Sequence, residues 1–497
     1  MLRSELKQSR RCCYATKTTA SPEQHDPRRN SNNVSREINA RIMALGKQHK
    51  WEDLLRVYRE ERTRFNDVNY ATIMSQLAPI RHLDTRDATL LELLSDLPQQ
   101  LKHFRARSIG NTANALAKMR VPKPERHLIL EFFAQLDKVS DRLFQEQDCQ
   151  NIALSAYASA KSNAPTPNLF ANLNHHAEWL LREGNPQSIA NSVWACGTLR
   201  VKAPKLFKGL DHHGDRLLHD GTLQAITNSV WACAVVNHGP SPGFIEKCVS
   251  SFMLKSEDTR SLITCCWSLL VLAIVADHVE ANAELPIVWS RVIFLLSIPG
   301  RLRDLTEEGI WQILVVEAVG KVCGIPLEPL MPSFATECVR VYQDDEGKPS
   351  GLHKNISHAL STLGYGHEME VSPFPNLPGT MAIDIALQER RIAVEVDGPS
   401  HFLCSPHFTL LHEYNGPSLF KRRVLERIGW TVINIDYREA HSHRCSPKWL
   451  SHLLEWHDVR DELRTTGLFS APPFRGDLKI SPTRASSRFS WFRQWGG

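Results

Sequence analysis

Gln187-Ser-Ile-Ala-Asn-Ser-Val-Trp-Ala-Cys196 and Leu223-Gln-Ala-Ile-Thr-Asn-Ser-Val-Trp-Ala-Cys233 are near copies of one another. Gln150-Asn-Ile-Ala-Leu-Ser-Ala-Tyr-Ala158 repeats the pattern upstream, Ser108-Ile-Gly-Asn-Thr-Ala-Asn-Ala-Leu-Ala117 repeats it more weakly, and Ser261-Leu-Ile-Thr-Cys-Cys-Trp-Ser-Leu269 follows. Tyr157, Trp194, Trp231 and Trp267 succeed one another at 37, 37 and 36 residues. Phe170, Phe207 and Phe244 keep the same phase, each 13 residues after its aromatic partner. Pro165, Pro167, Pro204 and Gly239-Pro240-Ser241-Pro242 fall between the two series. Two helical positions separated by a breaker describe a helix–turn–helix unit. Ile189, Val193, Cys196 and Leu199 form one apolar stripe, which a single hairpin cannot bury but stacked neighbours can. The expectation is an α-solenoid whose Trp and Phe series is core.

Working outward, Arg36 to Val57 and Asn69 to Leu77 carry a second helical pattern, with Asn39/Ile42, Asn69/Ile73 and Trp51 between them. Pro286 to Val341 is apolar and helical in pattern, but Trp311 lies 44 residues after Trp267, off register. The longest apolar run, Ser261 to Val275, falls short of the roughly 20 residues a bilayer span requires, so it reads as a buried helix of a soluble chain. The chain has 497 residues, a net charge of +5 and 12 cysteines with no C-x-x-C pair. Several cysteines sit in apolar helices and read as small buried hydrophobes in a reducing compartment. His441, His443 and Cys445 form one half of a metal-type cluster with no second half, and read as a polar loop. The first 22 residues hold Arg3, Lys7, Arg10, Arg11 and Lys17 against Glu5 and are rich in Ser and Thr, as in an organelle transit peptide.

After Gly347 the pattern changes. A helix at His353 to Leu363 leads through Pro373, Pro375 and Pro378 into Met381-Ala-Ile-Asp-Ile-Ala-Leu387, a turn, and Ile392-Ala-Val-Glu-Val-Asp397. A two- or four-residue turn pairs Asp384 with Glu395 and puts Asp397 on the same face, while Val394 and Val396 point away. A three-residue turn would break that alignment. Pro417 opens a helix that ends near Gly429, with Phe420, Val424, Leu425 and Ile428 on its apolar arc. Lys421 falls inside that arc, so it needs a partner, and the carboxylates are the obvious one. Trp430-Thr-Val-Ile-Asn-Ile-Asp436 reads as the next strand.

Two resemblances rest on these residues. The tandem of about 37 residues with Ile-Ala-Asn-Ser-Val-Trp-Ala-Cys, over residues 105–275, resembles the octotricopeptide and heptatricopeptide repeats of organelle RNA-binding proteins. The segment around residues 36–80 is weakly similar to pentatricopeptide units. Ile383-Asp-Ile, Ile392-Ala-Val-Glu-Val-Asp-Gly-Pro-Ser-His-Phe402, Asn415-Gly-Pro-Ser-Leu-Phe-Lys-Arg-Arg-Val-Leu425 and Gly429-Trp-Thr-Val resemble the RAP domain. That domain occurs behind helical repeats in organelle RNA-processing proteins, the FAST-kinase-domain family among them, and is similar in architecture to restriction endonucleases. The fold class expected is therefore mainly α: an α-solenoid of helical-hairpin repeats followed by a small α+β restriction-endonuclease-like domain. The segments are a transit peptide at 1–35, a pentatricopeptide-like segment at 36–80, the solenoid at 81–340, a helix and proline-rich linker at 341–377, the RAP domain at 378–440, and a short helix and basic tail at 441–497.

The resemblance implies an organelle RNA-binding protein of the mitochondrial matrix or plastid. Its solenoid would take single-stranded RNA, and ribosomal or RNA-processing proteins would be further partners. In a metal-dependent endonuclease of this architecture, Asp384, Glu395 and Asp397 would hold Mg²⁺ or Mn²⁺, Lys421 would supply the charge that Asp397 displaces from the usual lysine position, and His401 would handle a proton. The departure at Asp397 favours a non-catalytic domain that assists RNA binding. Arg390, Arg391, Arg422, Arg423 and Arg427 form the candidate phosphate-contacting surface, and the tail beyond Arg475, with Trp491 and Trp495, a candidate RNA-contacting arm. A solenoid that scaffolds proteins is the third alternative.

Overall fold

The computed structural model describes residues 27–455 apart from positions 242, 256–257, 299, 333, 335, 337–348 and 375–380. Most of the basic amino-terminal segment, the loop at Pro375 and Pro378, and the basic tail with Trp491 and Trp495 lie outside the described residues. The rest is a two-layered helical stack carrying an α+β module.

The first layer consists of Pro27–Gly46, Asp67–Leu77, Ala106–Lys118, Cys149–Lys161, Pro186–Leu199, Leu223–Val235, Thr259–Val275 and Glu307–Val322. Each packs on the one before and the one after, so the stack runs without interruption past residue 80. The repeat is written into the helix ends. Asp148, Asn185, Thr222, Asp258 and Thr306 each cap a first-layer helix by accepting a backbone N–H with the side-chain oxygen. Asn163, Arg200, Asn237 and Asp277 follow those helices in the left-handed conformation, which short amide and acid side chains tolerate best. The recurring aromatics pack as expected. Trp194, Trp231 and Trp267 are each 4% exposed, with the Tyr157 and Trp194 rings 4.8 Å apart and Trp194 and Trp231 at 6.5 Å. Gly197 permits this, since a Cβ there would lie 2.9 Å from the Trp231 ring.

The second layer departs from a simple hairpin. In three units its helix breaks in two: Arg126–Lys138 with Ser140–Gln145, Pro167–His175 with Ala177–Glu183, and Pro204–His213 with Asp215–Asp220. Val139 and His176 leave helical geometry at the first two breaks. The next units use single helices, Phe244–Lys255 and Val279–Leu296. Longer helices in both layers of the last unit shift the register: Thr259–Val275 has 17 residues against 13 in Leu223–Val235, and Val279–Leu296 has 18 against 12 in Phe244–Lys255. Glu307–Val322 still packs on Thr259–Val275, and Thr264 Oγ1 lies 3.4 Å from Gln312 Oε1, one repeat on but 48 residues later.

The α+β module begins with helix Gly351–Thr362 and contains strands β1 (Glu368–Val371), β2 (Ile383–Leu387), β3 (Ile392–Asp397), β4 (Phe402–Cys404), β5 (Leu410–Tyr414) and β6 (Thr431–Asp436). The main sheet has order β1-β2-β3-β6, antiparallel except for the parallel β3/β6 pair, which helix Gly416–Arg427 connects. β1 and the β4–β5 hairpin were not foreseen. Ile385, Leu387, Val394, Val396, Ile433 and Ile435 pack with Ile356 and Leu360 of the first helix in one apolar cluster.

The module is docked on the solenoid at the carboxyl ends of four successive first-layer helices. Cys404 N–H donates to the Arg200 carbonyl (2.9 Å) and Lys202 N–H to the Cys404 carbonyl (2.8 Å), so residues 200–202 extend the β4–β5 sheet. Gly416 sits so close to the end of Leu223–Val235 that an added Cβ would lie 1.8 Å from the Ala234 carbonyl oxygen. Arg423 donates to the Ile274 carbonyl (2.8 Å) and pairs with Asp277 (3.1 Å), and Arg427 reaches Cys323 Sγ (3.3 Å). Helix carboxyl ends present unpaired carbonyls and a partial negative charge, which donors and cations satisfy. Leu403, Phe420 and Val424 are buried in the solenoid's own core cluster, so the contact is apolar as well as polar.

Candidate functional site

The register decides the site. Leu387 pairs with Ile392 across the four residues Gln388 to Arg391, and Ile385 with Val394, so Asp384 falls beside Glu395 at the next step. Alternation turns Asp384, Glu395 and Asp397 to the face that receives helix Gly416–Arg427. That helix starts on Asn415, whose side chain accepts the Ser418 N–H (3.0 Å), and its phase aims Lys421 into the sheet. The Lys421 ammonium touches Glu395 Oε2 and stands 3.6 Å from Asp384 Oδ1.

Each acid is committed to neighbours. Asp384 Oδ2 accepts the Val396 N–H (2.8 Å) and lies 3.5 Å from His353 Nε2. Asp397 Oδ2 accepts from Tyr414 OH (3.0 Å) and Asn434 Nδ2 (2.8 Å), and its Oδ1 is 3.1 Å from His401 Nδ1. That ring nitrogen also lies 3.0 Å from Ser418 Oγ. His353 reaches Glu370 at 3.6 Å. Glu395 Oε1 is buried with no hydrogen-bond partner among the described residues.

These contacts set the charges. Burial pushes Asp384 up, but Lys421, His353 and the Val396 amide outweigh it, and the carboxyl sits below its usual value. Burial and then Asp384 push Glu395 up to about 8 against the pull of Lys421. Burial raises Asp397 despite His401, Asn434 and Tyr414. Burial would lower Lys421, but Glu395 and Asp384 more than reverse it, so the ammonium stays charged. Burial lowers His401 below the ordinary histidine value despite Asp397, whereas Glu370 and Asp384 raise His353 over its burial.

A carboxyl whose folded-state pKa exceeds its unfolded value of about 4.3 stabilises the fold when protonated. Its contribution is present below that value and is lost as the pH rises through the folded one. The module is therefore expected to lose stability as pH rises towards about 8 because of Glu395. Glu395→Gln flattens that fall, as urea midpoints at pH 6 and pH 9 would show. An equally steep fall in the variant would remove Glu395 as its source.

The donor set does not fit a divalent cation. The place between Asp384 and Glu395 that a metal would share is filled by the Lys421 ammonium, and both Asp397 oxygens already have partners. Among the described residues no group of three or more His, Cys, Asp or Glu side chains is arranged to hold a metal ion. We therefore derive no hydrolytic step here. At His441, His443 and Cys445 the structure shows packing: His443 stacks on Trp449 with centroids 5.3 Å apart, and Cys445 is buried.

Of the five arginines, Arg390, Arg391 and Arg427 are exposed and Arg422 and Arg423 half-buried. Arg423 and Arg427 are the docking contacts already described, so part of the polar arc of their helix meets helix ends of the solenoid. Arg422 pairs with Glu426 (3.0 Å). Arg391 donates to the Ile428 carbonyl (2.7 Å) and lies over the Trp430 ring, and Arg390 lies over Tyr365.

The solenoid carries what sequence reading missed: a polar row. Gln187/Asn191, Gln224/Asn228 and Arg107/Asn111 occupy matching positions four residues apart on first-layer helices, with Gln150 and Arg260 at the first position of two more. Arg107, Gln150, Gln187, Gln224 and Arg260 are exposed, and Asn111, Asn191 and Asn228 half-buried. None of these side chains has a hydrogen bond within the described residues, and Asn228 Oδ1 is buried without one. The signal lies in the repeats themselves, seven and three residues before Trp194 and Trp231.

Fold and site together define an α-solenoid protein with a docked α+β module whose acids are neutralised from within. Residues 394–456 match the family model of the RAP domain, so the chain carries a RAP domain. The match starts within β3, leaving out β1, β2 and Asp384, and runs past residue 440.

Proposed function

We propose that this chain is an organelle RNA-binding protein of post-transcriptional RNA metabolism: rRNA or mRNA processing, stability or translation. The polar row of the solenoid binds single-stranded RNA, and the RAP domain assists as a docked, non-catalytic module. The observation that carries this reading is the row itself. Amides and guanidinium groups recur at the same helical positions of successive repeats, without hydrogen-bond partners among the described residues. Neighbouring helices pack about 8–10 Å apart, so the row offers regularly spaced hydrogen-bonding groups to an extended polar strand. Unpaired base edges of single-stranded RNA offer complementary donors and acceptors, which a duplex hides. The RAP domain supports RNA as the ligand, and the basic start of the sequence supports an organelle, mitochondrion or plastid.

Lys421 in the metal position supports a binding role over a nuclease. The full chain is expected to bind single-stranded RNA with an affinity that falls as salt rises, and to leave the RNA intact in Mg²⁺ or Mn²⁺. Metal-dependent cleavage that disappears in Glu395→Ala with binding retained would replace this reading with the endonuclease. Binding that is indifferent to RNA would leave the protein scaffold.

A further inference from the structure

Arg200 stands out at the seam between the solenoid and the RAP domain. It closes helix Pro186–Leu199 in the left-handed conformation, where the equivalent caps one repeat before and after are Asn163 and Asn237. An arginine at that position is worse suited to the backbone than its neighbours' asparagines. The side chain is half-buried, beside His401 and Cys404, and burial lowers its pKa below the ordinary arginine value. It nevertheless has no hydrogen-bond or ion-pair partner among the described residues. The acids beside His401 and Lys202 are engaged elsewhere: Asp397 by Tyr414, Asn434 and His401, and Glu413 by Lys202. Thr198 Oγ1, two residues before, is likewise buried without a partner.

A half-buried guanidinium without a counter-ion is costly, and an anionic ligand relieves that cost. Gln187 and Asn191 of the polar row lie on the same helix, which Arg200 ends. We propose that Arg200 is a phosphate seat at this seam, taking an internal phosphodiester of the single-stranded RNA that lies along the row. The seat rests on the RNA-binding reading above and adds where the backbone is gripped. Its position couples the two parts of the chain, because residues 200–202 are also the segment that pairs with β4.

The test uses the full chain and single-stranded oligonucleotides with either a 5′-hydroxyl or a 5′-phosphate, titrated at several salt concentrations. Arg200→Asn places at this cap the residue its counterparts already use, so thermal stability should be preserved. Affinity is expected to fall roughly tenfold, the size of one charge-assisted hydrogen-bonded contact. The slope of log K against log salt should flatten by about 0.7, one phosphate on a single strand, for both oligonucleotides. Arg200→Lys keeps the charge without the planar fork, and provides a second reading should the Asn variant fail to fold. It is expected to keep the slope and lose a smaller part of the affinity. Unchanged affinity and slope in the Asn variant, or unchanged affinity in the Lys variant, overturn the seat while leaving RNA binding in place. A loss confined to the 5′-phosphorylated strand overturns the internal phosphodiester. Absence of RNA binding by the unsubstituted chain overturns both readings.

Discussion

Lys421→Met is expected to destabilise the RAP domain by about 3–5 kcal/mol, the usual result of removing one member of a buried ion pair. The side chain fills the same space, so the effect is electrostatic. Asp384 and Glu395 remain side by side on adjacent strands, buried, with the cation that holds them gone. Hydrogen exchange should accelerate in β2 and β3 first, while the first-layer helices up to residue 161, which lie outside the main contacts of helix Gly416–Arg427 with Leu223–Val235 and Thr259–Val275, keep their protection. The defect should ease at acid pH, where Asp384 also takes up a proton. The triple variant Asp384→Asn, Glu395→Gln, Lys421→Met should recover most of the loss, since neutral groups no longer need a cation. A Lys421→Met protein as stable as its parent would mean that the lysine does not hold the acids together.

The second large effect is on binding. Replacing Gln187, Asn191, Gln224 and Asn228 together by alanine should weaken single-stranded RNA binding by about thirtyfold or more, taking about 0.5–1.5 kcal/mol for each hydrogen bond lost. The same variant should unfold within about 1–2 kcal/mol of the parent, because these amides make no hydrogen bond within the described residues and surface changes are usually small. Binding should be measured by fluorescence anisotropy and stability by urea denaturation. Parallel losses in both would show the row to be structural.

The solenoid was legible because its repeat is carried by bulky residues. Trp194, Trp231 and Trp267 fill the space between consecutive helices, so their spacing is the spacing of the stack. The β2–β3 register was legible too, because a four-residue turn preserves alternation and three acids cannot share a face without a cation. The rest depends on contacts distant in sequence. Nothing local to His176 or Val139 announces a break, since neither is proline or glycine, so the extra short helix of those two units was invisible. His353, Tyr414 and Asn434 enter the acid cluster from a preceding helix and two other strands, as separate in sequence as residues 353 and 434. Arg423 and Arg427 sit on the polar arc of their helix, which reads as a solvent face until the docked helix ends of the solenoid are placed against it.

Ultraviolet crosslinking of the full chain to single-stranded RNA, followed by mass spectrometry of the crosslinked peptides, tests RNA recognition by the solenoid most directly. Crosslinks are expected on peptides spanning residues 186–200 and 223–235, with fewer on the equivalent helices at 106–118 and 149–161. Crosslinks absent from every first-layer helix, or confined to the RAP domain, would contradict it.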